Sequence, residues 1–343
     1  MSNLLTPNRR QFGTLLGTGL AAAMINRRAA AGTLRRARVF VPPLNANWTS
    51  GYELIELADA NGLFAKHGVE IEWAVLPWDQ YTVALDSGAL DFAPYADYAY
   101  FINVYDKGLK AKEVVSSTLP FIPGSAGEGL IVLKDGPIKS PEDLKGKKIG
   151  TQWPTFSGVW FAADWLRKHG VNKADYQIVP VPQAQAEQVL LQGGIDAAIV
   201  YQPIDIELAR KGQTTQLFNV SDIAGRFVTR GGTMASEKFI AENPDTVRGY
   251  VNAIAEAAEI ANADPAAVIK LGLERGKLDP KFLPALYNRD DKDDYSHLKW
   301  AAKGLHVEED LAFWLKLVEE AEIVPAGKHR PTDFYTNDFN ALA

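Results

Sequence analysis

The sequence contains no cysteine. That absence removes disulfides, thiolate metal sites and cysteine nucleophiles together. It also removes lipid anchoring, which needs a modified cysteine just behind a leader. Histidine is sparse: His67, His169, His297, His306 and His329 lie far apart, without the H-E-x-x-H spacing of a metal helix, and no metal site is expected. Neither a G-x-S-x-G elbow nor a phosphate-binding G-x-x-x-x-G-K-[ST] loop occurs, so no cofactor is expected. The acidic run Asp290-Asp291-Lys292-Asp293-Asp294 lacks the glycine and terminal glutamate of a calcium loop and reads as a solvated turn. No short-period repeat and no low-complexity tract is present.

Beyond the first residues, bases are fewer than acids. The chain carries −6 overall. Residues 1–31 hold four arginines and no acid, which leaves −10 on the remainder. An acidic body argues against a nucleic-acid partner, since phosphate neutralisation needs a basic face. It does not exclude an anionic small ligand, because local dipoles and one arginine can overrule the global sign. With 343 residues, 47% of them hydrophobic, the chain can build two lobes with a substantial core.

The first residues read as an address. Asn8-Arg9-Arg10-Gln11-Phe12 precedes an apolar run from Gly13 to Ile25, then Arg27-Arg28-Ala29-Ala30-Ala31. A positive start, a short hydrophobic stretch and small residues form a signal-peptide layout over 1–31. The run is shorter than the ~20 residues a membrane span needs. The paired arginines and Phe12 resemble a twin-arginine signal, with Asn8 where Ser or Thr is usual. The expectation is export to the periplasm as a soluble monomer.

Beyond the leader, strand and helix signals alternate. Val39-Phe40-Val41 is a strand signal that breaks at Pro42-Pro43, and residues 52–60 read as a helix with Gly62 as its stop. Val69, Ile71, Trp73 and Val75 alternate with less apolar neighbours at the period of a strand. The pattern predicts a helix over 79–87, a strand over 90–93, a helix over 96–107 and a strand at Val114-Val115. A second block predicts strands over 129–133, 148–150, 177–181 and 195–200. Helices are expected from Ser140-Pro141-Glu142-Asp143, over 158–169 and over 184–191. From about Glu237 the chain reads as mostly helical, including 244–261 and 308–321. This alternation indicates α/β lobes with mainly parallel sheets.

Four segments, taken in order, resemble the nitrate/sulfonate/taurine family of ABC solute-binding proteins. They are Gly62 to Glu72 (GLFAKHGVEIE), Ala84 to Ala93 (ALDSGALDFA), Ser140 to Gly150 (SPEDLKGKKIG), and Gln192 to Ala198 (QGGIDAA) with Gln202-Pro203 following. The resemblance implies a two-lobe periplasmic binding protein type II fold, each lobe a sheet flanked by helices, with a ligand cleft at the hinge. It places lobe 1 at 36–125 plus 230–343 and lobe 2 at 126–229. The implied function is extracytoplasmic capture of a small organic ligand, anionic or heteroaromatic, and delivery to the membrane permease of an ABC importer. The same superfamily holds enzymes acting on pyrimidine or chorismate-like compounds, and these are the alternative. The thiamine-pyrimidine enzyme has a cysteine-rich motif that this chain lacks.

Ligands of doubly wound lobes meet the loops at the carboxyl ends of strands. Those loops supply Asn47 and Trp48; Trp78 and Tyr81; Tyr95 and Asp97; Gln152, Thr155, Phe156 and Ser157; and Tyr201. Each has a structural alternative. Trp78 either stacks on a planar ligand or packs between helix and sheet. Asp97 either points into the cleft or caps the next helix, and Ser157 is an N-cap or a donor to ligand. No catalytic residue is assigned; Asp97 is the best an enzyme reading offers. Arg226 and Arg230 lie near the expected crossing between lobes, where one of them either faces an anionic ligand or, the preferred reading, forms a surface salt bridge.

Overall fold

The computed structural model describes residues 34–42, 53–118, 128–201, 204–283, 295 and 298–343. Residues 1–31, read from sequence as an export signal, and the site candidates Asn47 and Trp48 lie outside them. The chain runs β1 (Arg35–Val41), α1 (Glu53–Ala60), α2 (Leu63–Lys66), β2 (Val69–Val75), α3 (Tyr81–Asp86), β3 (Ala93–Asp97), α4 (Tyr98–Asp106) and β4 (Ala111–Ser116). Then follow β5 (Glu128–Leu133), β6 (Lys148–Thr151), α5 (Ser157–Lys168), β7 (Gln177–Pro180), α6 (Gln183–Leu191), β8 (Ala197–Tyr201), α7 (Ile204–Arg210), β9 (Thr214–Asn219) and α8 (Val220–Ala224). The last elements are β10 (Gly231–Ser236), α9 (Glu237–Glu242), α10 (Pro244–Ala263), α11 (Pro265–Glu274) and a long helix Glu308–Glu320, here α12.

The period-two stretch 69–75 forms β2 over that range and pairs in parallel with β1, from Arg35 opposite Val69 to Val41 opposite Val75. A parallel bridge between Val39 and Phe92 carries the surface on to β3. Next to β3 lies β10, antiparallel to both β3 and β4. The first sheet therefore reads β2-β1-β3-β10-β4. The second reads β7-β6-β8-β5-β9, with β6 parallel to β7 and β8, and β5 antiparallel to its two neighbours.

Each sheet has the same plan, with one reversed strand in the same place. Four of the five strands in each sheet run the same way, in line with the mainly parallel expectation, and β9 and β10 are additions that the apolar pattern did not signal. The reversed strands are the ones that follow a crossing: β5 enters the second sheet after β4 of the first, and β10 enters the first after β9 of the second. The helix expected from Ser140 is only a 3₁₀ turn, Pro141–Leu144, because Gly146 takes a φ of 77° and turns the chain into β6.

Under the first sheet, Phe92 stacks on Tyr250 of α10 with centroids 4.0 Å apart, and Phe64 stacks on the same ring at 5.4 Å. Burying aromatic rings of this size supplies much of the apolar stabilisation of such a core. Helix α12 packs against both α4 and α5, Phe161 lying 5.9 Å from Trp314. Residues Leu34–Ala343 form one compact unit. No helix among the described residues is long and apolar enough to cross a membrane.

Candidate functional site

Loops at the carboxyl ends of the two sheets meet around a group of aromatic rings. Trp78, in the loop between β2 and α3, is half-buried and sits edge-on to Phe40 at 5.4 Å, and to Tyr81 and Tyr95 at 6.2 Å each. It also lies 6.2 Å from Trp153, in the loop after β6 of the second sheet. A second crossing pairs Tyr100 of α4 with Phe156, stacked at 5.6 Å and 11°. Offset and edge-on arrangements of this kind are each favourable beyond their buried area, by about 0.5–1.5 kcal/mol.

Tyr95 reaches this group through an unusual backbone. Its φ is 75°, in the left-handed region that a bulky residue rarely enters. The register of β3 against β10 slips here: Ala96 pairs with Gly232 and Ala93 with Met234, so β3 carries one extra residue. Such a bulge re-aims a side chain, and bulges concentrate beside functional sites.

A polar cluster lies beside the rings. Asp97 ends β3 and caps α4, its Oδ1 accepting from the Tyr100 N–H at 2.7 Å. Ser157 Oγ, at the start of α5, lies 3.3 Å from Asp97 Oδ2 and 3.3 Å from Glu128 Oε2. Arg230 Nη2 donates to Glu128 Oε1 at 2.6 Å. Gly158 makes this possible, since a Cβ there would come within 2.5 Å of Glu128 Oε2.

A serine hydroxyl has one proton and can donate to only one of two carboxylates at a time. The second contact is a hydrogen bond only if one carboxyl is protonated. Burial acts in that direction: it pushes the Glu128 carboxyl up to about 7, with Arg230 opposing and the Asp97 charge adding to it. Burial likewise raises Asp97, against the pull of Arg230 and of the backbone N–H groups of Tyr100 and Ala99.

The segment that carries Arg230 is held from behind by α12. Thr229 donates through its N–H and its hydroxyl to Asp310 Oδ2, at 2.8 and 2.7 Å, and its carbonyl accepts from Trp314 Nε1 at 2.8 Å. Arg226 binds the same Asp310 on its exposed side. The surface reading thus fits Arg226, but Arg230 is a buried partner of Glu128. Deeper still, Glu113 on β4 is fully buried and neither of its carboxyl oxygens has a hydrogen-bond partner among the described residues. Desolvation first, then the Asp97 charge, raises it well above the carboxylate range. Tyr98 bonds His306 Nδ1 at 2.6 Å, and burial holds that imidazole down to about 3, so it is neutral.

Of the residues expected from sequence, Trp78, Tyr95, Asp97, Phe156 and Ser157 come together here. Tyr81 is beneath the rings, stacked on Phe40 at 4.9 Å and closed off from solvent. Gln152 is half-buried and its Oε1 accepts from the Gln183 N–H at 3.0 Å, while Thr155 is exposed. Tyr201 closes β8; Asn47 and Trp48 lie outside the described residues. The reading missed Glu128, Phe40 and Tyr100. The one available signal for Glu128 was an acid set directly before the apolar strand Gly129-Leu130-Ile131-Val132-Leu133. No group of histidines and carboxylates among the described residues is arranged to hold a metal.

At the opposite ends of the first sheet's strands lies a polar depression of about 600 Å³, lined by Arg38, Asp91, Lys110 and Glu242 among others. Arg38 and Asp91 are already paired there at 2.7 Å.

A family model described as NMT1/THI5 like matches residues 53–268. A Brucella abortus (strain 2308) protein, provisionally named a binding protein, is 27% identical over 232 residues, covering 67% of this chain and 69% of its own. The 4-amino-5-hydroxymethyl-2-methylpyrimidine phosphate synthase of Schizosaccharomyces pombe is 26% identical over 241 residues, covering 65% and 66%. Among solved structures, the alkanesulfonate-binding protein SsuA of Xanthomonas axonopodis pv. citri, bound to MOPS, superposes with a TM-score of 0.66 at 18% identity, over 89% of this chain and 99% of its own. The periplasmic nitrate-binding protein NrtA of Synechocystis PCC 6803 gives 0.65 at 14% identity, over 89% and 87%. The fold is that of the periplasmic binding proteins.

Proposed function

The chain belongs to the NMT1/THI5-like family, and on that premise we propose that it is the extracytoplasmic solute-binding component of an ABC importer. The carrying observation is the meeting of loops from two sheets of equal plan around one aromatic group, with Ser157 of the second sheet's α5 bonded to Asp97 of the first. A ligand site between two such halves suits reversible capture by closure. In this reading the halves are lobes, 36–125 plus 230–343 and 126–229. Residues 1–31 are the twin-arginine export signal, the working compartment is the periplasm, and a monomer presents the closed form to a membrane permease.

The ligand is a small organic molecule with a flat body. Trp78, Tyr95, Trp153 and Phe156 give it ring faces, and Asp97 and Ser157 give it polar partners. The sulfonate- and nitrate-binding neighbours support the transport class rather than the ligand.

Relatedness to the pyrimidine phosphate synthase favours one second reading, an enzyme acting on a pyrimidine. A thermal-shift screen against sulfonates, nitrate, aromatic carboxylates and pyrimidines separates the two. A ligand present at ~100 times its Kd adds about 2.7 kcal/mol of stability if it binds only the folded form. A clear shift with the compound recovered unchanged supports the receptor; a converted compound supports the enzyme.

A further inference from the structure

We propose that this cleft selects a small organic cation, a protonated amine or amidine on a flat body, and excludes anions, because beside the aromatic rings the protein's own Asp97 already occupies the start of α4 and its own Glu128 occupies the guanidinium of Arg230. The inference rests on the receptor reading above, and departs from the anionic half of the expectation drawn from sequence.

Anion-binding clefts commonly use the free N–H groups of a helix start. At α4 those groups are taken. The Tyr98 N–H donates to the Arg230 carbonyl at 2.9 Å, and the Tyr100 and Ala99 N–H groups go to Asp97. At the start of α5 the carboxylate of Glu128 lies against Gly158 and accepts from Ser157. The guanidinium that an anion would seek, Arg230, is bonded to Glu128 at 2.6 Å.

The cluster sets two carboxyl groups against one arginine, so acceptor oxygens outnumber cations whichever carboxyl holds the proton. A sulfonate placed among them would have to displace Glu128 from Arg230 and lie against the remaining carboxyl oxygens, a repulsive contact in a poorly solvated site. A cation meets the reverse: two acceptors close by and the faces of Trp78, Tyr95 and Trp153, which attract positive charge. One more oxygen, at the start of α6, points to the same chemistry. Gln183 Oε1 sits on a buried residue and has no hydrogen-bond partner among the described residues. The amide oxygen of Gln183 is an acceptor, and a ligand N–H group satisfies it where an anion cannot.

The test is calorimetric titration of the purified full chain with shape-matched probes: benzamidinium and benzylammonium against benzenesulfonate and benzoate, with nitrate and taurine alongside. The cationic probes are expected to bind at least tenfold tighter than their anionic counterparts. Asp97→Asn and Glu128→Gln should each narrow that ratio at least fivefold. The wild-type ratio needs no variant to fold. A sulfonate, benzoate or nitrate binding as tightly as the matched cation overturns the charge assignment; if Trp78→Ala weakens that binding, the receptor site itself survives. Absence of binding by both cationic probes overturns the charge assignment alone, since the receptor reading is decided separately by the thermal-shift screen.

Discussion

Arg230 and Glu128, 102 residues apart in the chain, form an ion pair with side chains only 13% and 2% exposed, joining the segment that enters the first sheet to the strand that opens the second. The pair sits where each sheet receives its reversed strand, so it fixes two crossings at once.

Breaking a buried pair by removing one member strands the other without compensation. Arg230→Met should therefore lose about 3 kcal/mol in urea unfolding at neutral pH, since it leaves Glu128 and Asp97 facing each other through Ser157 with no cation. Adding Glu128→Gln should recover part of that loss, because the stranded carboxylate is then gone. A double-mutant cycle reads the coupling. A loss under about 0.5 kcal/mol for Arg230→Met would mean the pair contributes nothing.

Glu128 also sets a pH signature. Burial raises its carboxyl to about 7, above its value in an unfolded chain, so the folded state binds the extra proton. The stabilisation is present below the unfolded value and is lost as pH rises from about 4.5 through 7. The groups facing it are Asp97, Arg230 and Ser157, and Asp97 shifts in the same direction. The wild-type chain should therefore lose stability relative to Glu128→Gln between pH 5 and 8, by a few kcal/mol at most. Paired urea titrations at four pH values measure the difference. A gap independent of pH would show that Glu128 is ionised throughout.

Much of the fold could be read from sequence where the signal is local. The alternation at 69–75 is β2 to the residue, and Gly170 stops α5 where expected. Helix α4 begins two residues later than the pattern predicts because Asp97 is its cap, not its first turn. What escaped is governed by close approach. Strand β10, Gly-Gly-Thr-Met-Ala-Ser, carries little strand signal because its glycines are demanded by neighbours. A Cβ at Gly231 would overlap the carbonyl of Ala96, and one at Gly232 would come within 2.8 Å of Glu113 Oε2. The site divides in the same way. Asp97 and Ser157 announce themselves as helix-start residues, whereas Glu128 gains its role from Arg230 and Ser157, far away in sequence.

His306 should dominate the acid limb. It is buried and neutral with its pKa held down to about 3, while an unfolded histidine titrates near 6.5. The unfolded state therefore takes up a proton that the folded state refuses, and stability falls as pH drops from about 6.5 toward 3. His306→Asn keeps an acceptor for the Tyr98 hydroxyl and removes this titration. The variant should be about 1–2 kcal/mol less stable at pH 8, from lost packing, yet flatter below pH 6. Parallel slopes for both proteins between pH 6 and 4 would place the acid sensitivity elsewhere.

Trp78 and Trp153 report on the space between the sheets, because their edge-on contact at 6.2 Å joins loops that belong to different sheets. If a ligand enters between the rings, both indoles change their surroundings, and tryptophan emission should shift on titration. Trp78→Ala should weaken binding at least tenfold, consistent with the loss of about 1.4 kcal/mol or more of ring contact. Because Trp78 is only half-buried, its removal should cost the fold less than the ~3–5 kcal/mol of a core tryptophan. Trp153→Ala should weaken binding by a similar factor while leaving the first sheet's Phe40–Tyr81 stack intact. Ser157→Ala, which removes the hydroxyl between Asp97 and Glu128, should lower affinity and also cost the fold about 1–3 kcal/mol, because it leaves buried acceptors unpaired. Full affinity in all three variants would move the ligand site away from these rings, whatever the chain transports.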